Sequence, residues 1–323
     1  MSSLAPNAPI TASKGLIMPS LQAKEVEQII EDYKAGVIGK GQALTMDERR
    51  GVTDQIGKWA TIRDDVELES VQLGGREASR YVPISIEPGM VMLYFHGGGY
   101  VMGSLNSHGR LMAHVAHHCS APVYGLDFRR APESPFPAAL NDSRSAYKAL
   151  LEMGWRPDQI VLAGDSAGGG LVLALMALAR EAGEAAPAGG ILLSPWLDLA
   201  LTGDSMERLA AGDVWTTRPT LSTFAKLYAG DAALDDPKVS PLYMDFTGLP
   251  PLLIHVSGSE ILLDDAVRAR DSASASGVEV EFRSWAGVPH VFQLFTGNLP
   301  EAEESLKDIG AWLDKRRAAV RRG

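Results

Sequence analysis

The sequence predicts an α/β protein built on an open, mostly parallel sheet with helices on both faces. Two observations carry this prediction. From residue 90 onward, short segments that are apolar throughout alternate with longer stretches of helical period, the pattern of buried parallel strands and the helices that cover them. Residues 164–168 read Gly-Asp-Ser-Ala-Gly and lie between one such strand and one such helix. In that setting the chain must turn sharply, and the turn lifts a serine hydroxyl out of the sheet as a nucleophile. The flanking glycines, lacking Cβ atoms, permit the strained turn and the close packing around it.

The elements follow in order. Residues 1–20 are rich in Pro, Ser and Ala and are expected to be loose. Val26, Ile29, Ile30 and Tyr33 recur at helical spacing and predict a helix over 21–33, with a second over 42–60. Strand-like segments at 66–73 and 78–84 flank Gly74-Gly75 and read as an antiparallel hairpin. Apolar runs at 90–95, 121–126, 159–163, 190–193 and 252–256 then predict strands, with an alternating one at 278–282. Helices are expected at 107–118, 138–153, 167–182, 264–276 and 301–321. Residues 200–250 break the rhythm: they carry no convincing strand, but hold Trp215, a helix-like run at 221–228 and several prolines. This stretch reads as an insertion above the carboxyl ends of the strands, where open α/β sheets place their sites. The run 278–282 reads as an exposed edge strand and so as a homodimer contact.

Composition narrows the function classes. A chain of 323 residues can bury about three-quarters of its unfolded surface. Its formal charge of −10 argues against nucleic acid or an anionic membrane surface as partner. The basic stretch 315–322 is expected to be a solvated last helix turn. One cysteine, Cys119, excludes an intrachain disulfide. The opening residues lack the pattern of a secretory signal, and the longest apolar stretch, 171–179, is too short to span a bilayer. The expectation is a cytoplasmic protein without integral membrane contact, acting on a small molecule.

A nucleophilic serine needs oxyanion donors, a base and an orienting acid. Ser166 is the predicted nucleophile. His96-Gly97-Gly98-Gly99-Tyr100 follows the strand at 90–95, and consecutive glycines let backbone N–H groups face a ligand unobstructed. Two of Gly97, Gly98 and Gly99, with Ala167, are the predicted oxyanion donors; His96 is expected to brace the loop. Where chain order runs serine, acid, histidine, only His255 and His290 can be the base. His255 lies inside an apolar strand, whereas His290 sits in a loop after the last strand, so His290 is the predicted base. For the acid, Glu260, Asp264 and Asp265 compete in one loop. Glu260 is favoured as nearest the strand end; first-turn acids such as Asp264 and Asp265 are stabilised by the helix dipole alone. Asp198 is expected to be structural. His114, His117 and His118 with Cys119 offer metal-ligating types, and His114 and His118 share a helix face, but no carboxylate sits at the zincin spacing, so a surface helix without metal is expected.

These motifs, together with Asp127-Phe128-Arg129-Arg130-Ala131-Pro132-Glu133 and Phe136-Pro137-Ala138, resemble the hormone-sensitive-lipase-like branch of the α/β-hydrolases, the bacterial carboxylesterases. The resemblance runs from about residue 65 to the end. It implies an eight-stranded, mostly parallel sheet, a helical cap, and ester hydrolysis without cofactor or metal. In these terms 1–60 is an N-terminal cap segment, 61–199 and 246–323 form the core, and 200–245 is the cap insertion. Trp215, Phe224 and Tyr228, with Tyr100, are expected to line the pocket and favour short or medium acyl chains. The family usually has aspartate where Glu260 stands; a similar subgroup uses glutamate and includes enzymes acting on monoterpene lactones, which extends the expected substrates to cyclic esters. The same triad could serve an amidase or peptidase. The family also resembles the gibberellin receptors, which lose the catalytic histidine that His290 supplies here.

Overall fold

The computed structural model describes residues 21–38 and 44–321. The expectation for 1–20, and the start of the helix expected over 42–60, lie outside them. Eight strands form one sheet: β1 (Val66–Leu73), β2 (Arg76–Pro83), β3 (Val91–Phe95), β4 (Val123–Leu126), β5 (Ile160–Asp165), β6 (Gly189–Leu193), β7 (Leu252–Ser257) and β8 (Val280–Trp285). Their spatial order is β1-β2-β4-β3-β5-β6-β7-β8. β1 and β2 pair antiparallel around Gly74-Gly75, β2 pairs antiparallel with β4, and every later pairing is parallel. β3, β4, β5, β6 and β7 are buried at every position, because helices cover both faces of this part of the sheet.

The helices described are α1 (Leu21–Ile38), α2 (Met46–Thr53), α3 (Leu105–Cys119), α4 (Ala138–Glu152), α5 (Ala167–Glu181), α6 (Ser205–Arg208), α7 (Arg218–Ala229), α8 (Leu263–Ala275) and α9 (Pro300–Val320). None is long and apolar enough to cross a membrane.

Several boundaries depart from expectation, three of them informatively. The helix expected to run to residue 60 gives way to a 3-10 turn at Asp54–Lys58. There Gly57 lies against the Asn106 carbonyl, so close that a Cβ would stand 2.2 Å from its oxygen. β5 extends two residues further than expected, because Gly164 and Asp165 still pair with Leu192 and Leu193; the strand therefore runs up to Ser166 itself. β8 starts two residues late. Gly277 has φ +77, and the Val278 N–H bonds the Ala273 carbonyl, so these residues belong to the exit from α8.

Between β6 and β7 the chain makes no strand, as expected, but carries α6, α7 and a 3-10 turn at Pro241–Tyr243. Part of this stretch meets the N-terminal helices in an aromatic cluster. Trp215 stacks on Tyr33 at 5.9 Å and meets Trp59 edge-on at 5.2 Å, and Trp59 stacks on Phe295 at 4.8 Å. Such pairs stabilise by about 0.5–1.5 kcal/mol each beyond the area they bury.

Candidate active site

The turn between β5 and α5 places Ser166 at φ +51, ψ −119, a conformation that strains any residue with a Cβ. Close packing on both sides holds it there. A Cβ on Gly164 would lie 2.4 Å from the Gly168 carbonyl carbon, and one on Gly168 would lie 1.9 Å from the Phe95 carbonyl oxygen. The two glycines flanking Ser-x therefore let α5 approach β5 and β3 with no side chain between.

Ser166 and His290 face one cavity of about 290 Å³, and Gly98, Gly99, Trp215 and Phe224 also line it. The Ser166 hydroxyl makes no hydrogen bond to the described residues. His290 is 5% exposed; behind it, fully buried, Glu260 brings Oε1 to 3.1 Å from His290 Nδ1. The other Glu260 oxygen accepts the Ser194 hydroxyl at 2.7 Å and the Ser257 N–H at 3.3 Å. Ser194 Oγ in turn accepts the Val291 N–H at 3.2 Å. The two loops are stitched further by Ser257 Oγ donating to the Val288 carbonyl and Gly287 N–H donating to Ser259 Oγ. Burial disfavours the His290 imidazolium, but the charge and hydrogen bond of Glu260, with Asp213 and Asp165 beyond it, outweigh that penalty and raise its pKa above the ordinary value.

The other carboxylates of the loop are engaged elsewhere. Asp264 accepts the Ser205 N–H and pairs with Arg208. Asp265 accepts the N–H groups of Leu197 and Asp198, and burial pushes its pKa up to about 8. Asp198, fully buried, binds Thr202, Tyr243 and Arg268. His255 is packed inside β7 with Nδ1 on Ser305 Oγ.

Across the cavity, the N–H groups of Gly97, Gly98 and Gly99 donate to no protein group among the described residues. Ala167 opens α5, where helix geometry leaves the N–H without an intrahelical acceptor. Gly99, at φ +63, is pressed by Phe224: a Cβ there would stand 2.3 Å from Phe224 Cδ2. Gly97 sits beneath the cavity against the Asp165 carboxylate. His96 binds the Gly97 carbonyl through Nδ1 at 2.8 Å and stacks on Phe128; burial and the facing His108 hold its pKa at about 3. Asp165 receives the Tyr94 hydroxyl at 2.8 Å and His108 Nε2 at 3.2 Å. Burial opposes its charge, but His108, Tyr94 and His96 hold its carboxyl below the usual range.

Two expectations need correction. Tyr100 and Tyr228 do not line the cavity; both are 2% exposed and stack on each other at 3.7 Å, because Tyr100 packs against Trp196 and Gly170 and Tyr228 against Phe136. The His114–His118 face is also not a surface: His114 is 1% exposed, and Glu303 from α9 stands against both histidines. His114 Nε2 lies 3.0 Å from Thr61 Oγ1, and Glu303 accepts the Thr296 hydroxyl, so the group joins α3 to α9. Sequence reasoning missed Ser194 and Asp213. Ser194 directly follows β6, and strand ends were a usable signal. Asp213 accepts the Ile261 N–H at 2.9 Å and those of Trp215 and Thr216, contacts that no spacing announces.

Comparison with known proteins shows the family. Residues 92–294 match the family model described as the alpha/beta hydrolase fold. An acetyl-hydrolase of Streptomyces hygroscopicus is 39% identical over 239 residues, 74% of this chain and 80% of its own length. An esterase of Acinetobacter venetianus is 36% identical over 80% of this chain and 86% of its own. The crystal structure of an esterase from the bacterial hormone-sensitive lipase family superposes with a TM-score of 0.88 at 38% identity, covering 93% of this chain and all of that one.

Proposed function

Because the chain belongs to the α/β-hydrolase family, in its bacterial hormone-sensitive-lipase branch, and is a carboxylic-ester hydrolase, we propose that it works by two-step acyl transfer through Ser166 on short- to medium-chain esters. Ser166 Oγ attacks the ester carbonyl while His290 Nε2 takes its proton. His290 returns that proton to the departing alcohol, and the acyl group remains on Ser166. Water, deprotonated by His290, then attacks the acyl carbonyl and releases the acid. Glu260 fixes the imidazole with Nδ1 protonated and stabilises the imidazolium that forms. The N–H groups of Ala167 and of two residues among Gly97, Gly98 and Gly99 receive the oxyanion.

The observation that carries the reading is the joint placement of a strained Ser166 and a Glu260-bound His290 on one cavity. The cavity, about 290 Å³, is at the small end for ligand sites, and one relative is named an acetyl-hydrolase; both favour small acyl groups and, among cyclic esters, small lactones. In this reading the described residues before 61, together with 200–245, form the cap, whose Trp215 and Phe224 shape the pocket. Turnover across a series of p-nitrophenyl esters tests the chain length: the maximum is expected at short or medium chains, and a long-chain maximum contradicts it.

A further inference from the structure

We propose that Arg49 and Lys34 form an anion subsite at this cavity, so that its preferred substrates are esters carrying a carboxylate or comparable anion beyond the scissile bond. The inference rests on the reading of the cavity as an ester-hydrolase site.

Both cations line the cavity, Lys34 from α1 and Arg49 from α2. The one carboxylate that lines it with them, Asp165, is buried and held by His108 and Tyr94. Arg49 donates Nε to the Leu44 carbonyl at 3.2 Å, and its two terminal nitrogens meet no acceptor among the described residues. Its neighbour Arg50 shows the usual fate of an arginine in this protein, with both terminal nitrogens on Glu133. The residues outside the described part, 1–20, 39–43 and 322–323, contain no Asp or Glu, so no side-chain carboxylate there can claim Arg49. Lys34 Nζ donates to the Val214 carbonyl at 2.7 Å and has only a loose contact with Glu31 at 3.5 Å.

A chain of net charge −10 repels small anions at long range, so an arginine with no carboxylate partner among the described residues, beside a lysine held only by a 3.5 Å pair with Glu31, is informative at the cavity. A guanidinium offers a paired set of donors that matches a carboxylate. Much of the rest of the wall, including Met102, Leu221 and Phe224, is apolar and suits the carbon body of such an ester.

The test compares kcat/KM on four probes: p-nitrophenyl butyrate, p-nitrophenyl hemisuccinate (anion on the acyl side), 4-carboxyphenyl butyrate (anion on the alcohol side) and phenyl butyrate as its neutral control. Arg49→Gln and Lys34→Gln should each cost about fivefold on at least one anionic ester, the scale of a solvated ion pair, and change the neutral esters less than about twofold. Raising the salt should mimic the variants. The anionic ester affected identifies the side on which the anion binds. Equal effects on all four probes, or none, would overturn the subsite while leaving the hydrolase intact. A wild type inactive on both neutral esters would instead overturn the parent reading.

Discussion

Glu260 divides its carboxylate between two partners: Oε1 stands 3.1 Å from His290 Nδ1, while Oε2 accepts the Ser194 hydroxyl at 2.7 Å. Ser194 also holds the Val291 N–H, so one serine ties the acid to the residue after the base. Glu260→Gln, nearly isosteric but uncharged, is expected to lower kcat by about 10²–10⁴-fold through loss of the imidazolium's partner and of the correct tautomer. Asp264→Asn, at the competing carboxylate, should leave kcat within about threefold, since its carboxylate bonds Ser205 and Arg208 rather than His290. Steady-state kinetics of the two variants decide between the carboxylates.

The same pair sets the pH dependence. His290 must be neutral to act as base, and Glu260 together with Asp213 and Asp165 raises its pKa against the penalty of burial. Activity is therefore lost as pH falls through a pKa above the ordinary histidine value of about 6.5. In Glu260→Gln the largest raising influence is gone, so the acid limb of kcat/KM should move to lower pH. A limb that stays in place would show that another group controls it.

Asp213 couples the pocket wall to the acid loop. Its Oδ1 holds the N–H groups of Trp215 and Thr216, and its Oδ2 holds that of Ile261, next to Glu260. Asp213→Ala leaves those donors without an acceptor and should destabilise by about 1–3 kcal/mol, measured by urea unfolding. Because both loops relax, KM should rise and kcat fall together. A change in stability alone would mean that Asp213 serves only the fold.

Gly99→Ala should be severe. A Cβ there meets Phe224 at 2.3 Å, and the backbone is at φ +63, so the Phe224 ring or the glycine loop must shift. Loss of one well-placed donor costs about 10²–10³-fold in kcat. Adding Phe224→Ala removes the clash but not the backbone strain, so the double variant is expected to recover only part of the rate.

Much of this site was legible in the sequence because its signals are local. The Gly-x-Ser-x-Gly turn, the glycine loop after β3 and the histidine loop after β8 each follow a strand whose apolar run marks where it ends. Glu260 was favoured over Asp264 by the same logic of strand ends. The aromatic residues were legible only in part: Trp215 and Phe224 reach the cavity, while Tyr100 and Tyr228 stack away from it. Sequence position brings an aromatic near the site but does not say which neighbours its ring packs against. Glu303 stands 185 residues from His118 in the chain, and Asp213 lies 48 from Ile261. Contacts of that range depend on how α9 and the 200–250 segment dock, and periodicity holds no record of docking.

The central claim is that Ser166, activated by His290, carries the acyl group, and covalent labelling tests it most directly. Treatment with a fluorophosphonate followed by peptide mass spectrometry should find one adduct, on Ser166, formed in step with loss of esterase activity. Labelling should be much slower in His290→Ala and absent in Ser166→Ala. An adduct on a different residue, or full ester turnover by folded Ser166→Ala, would contradict the account.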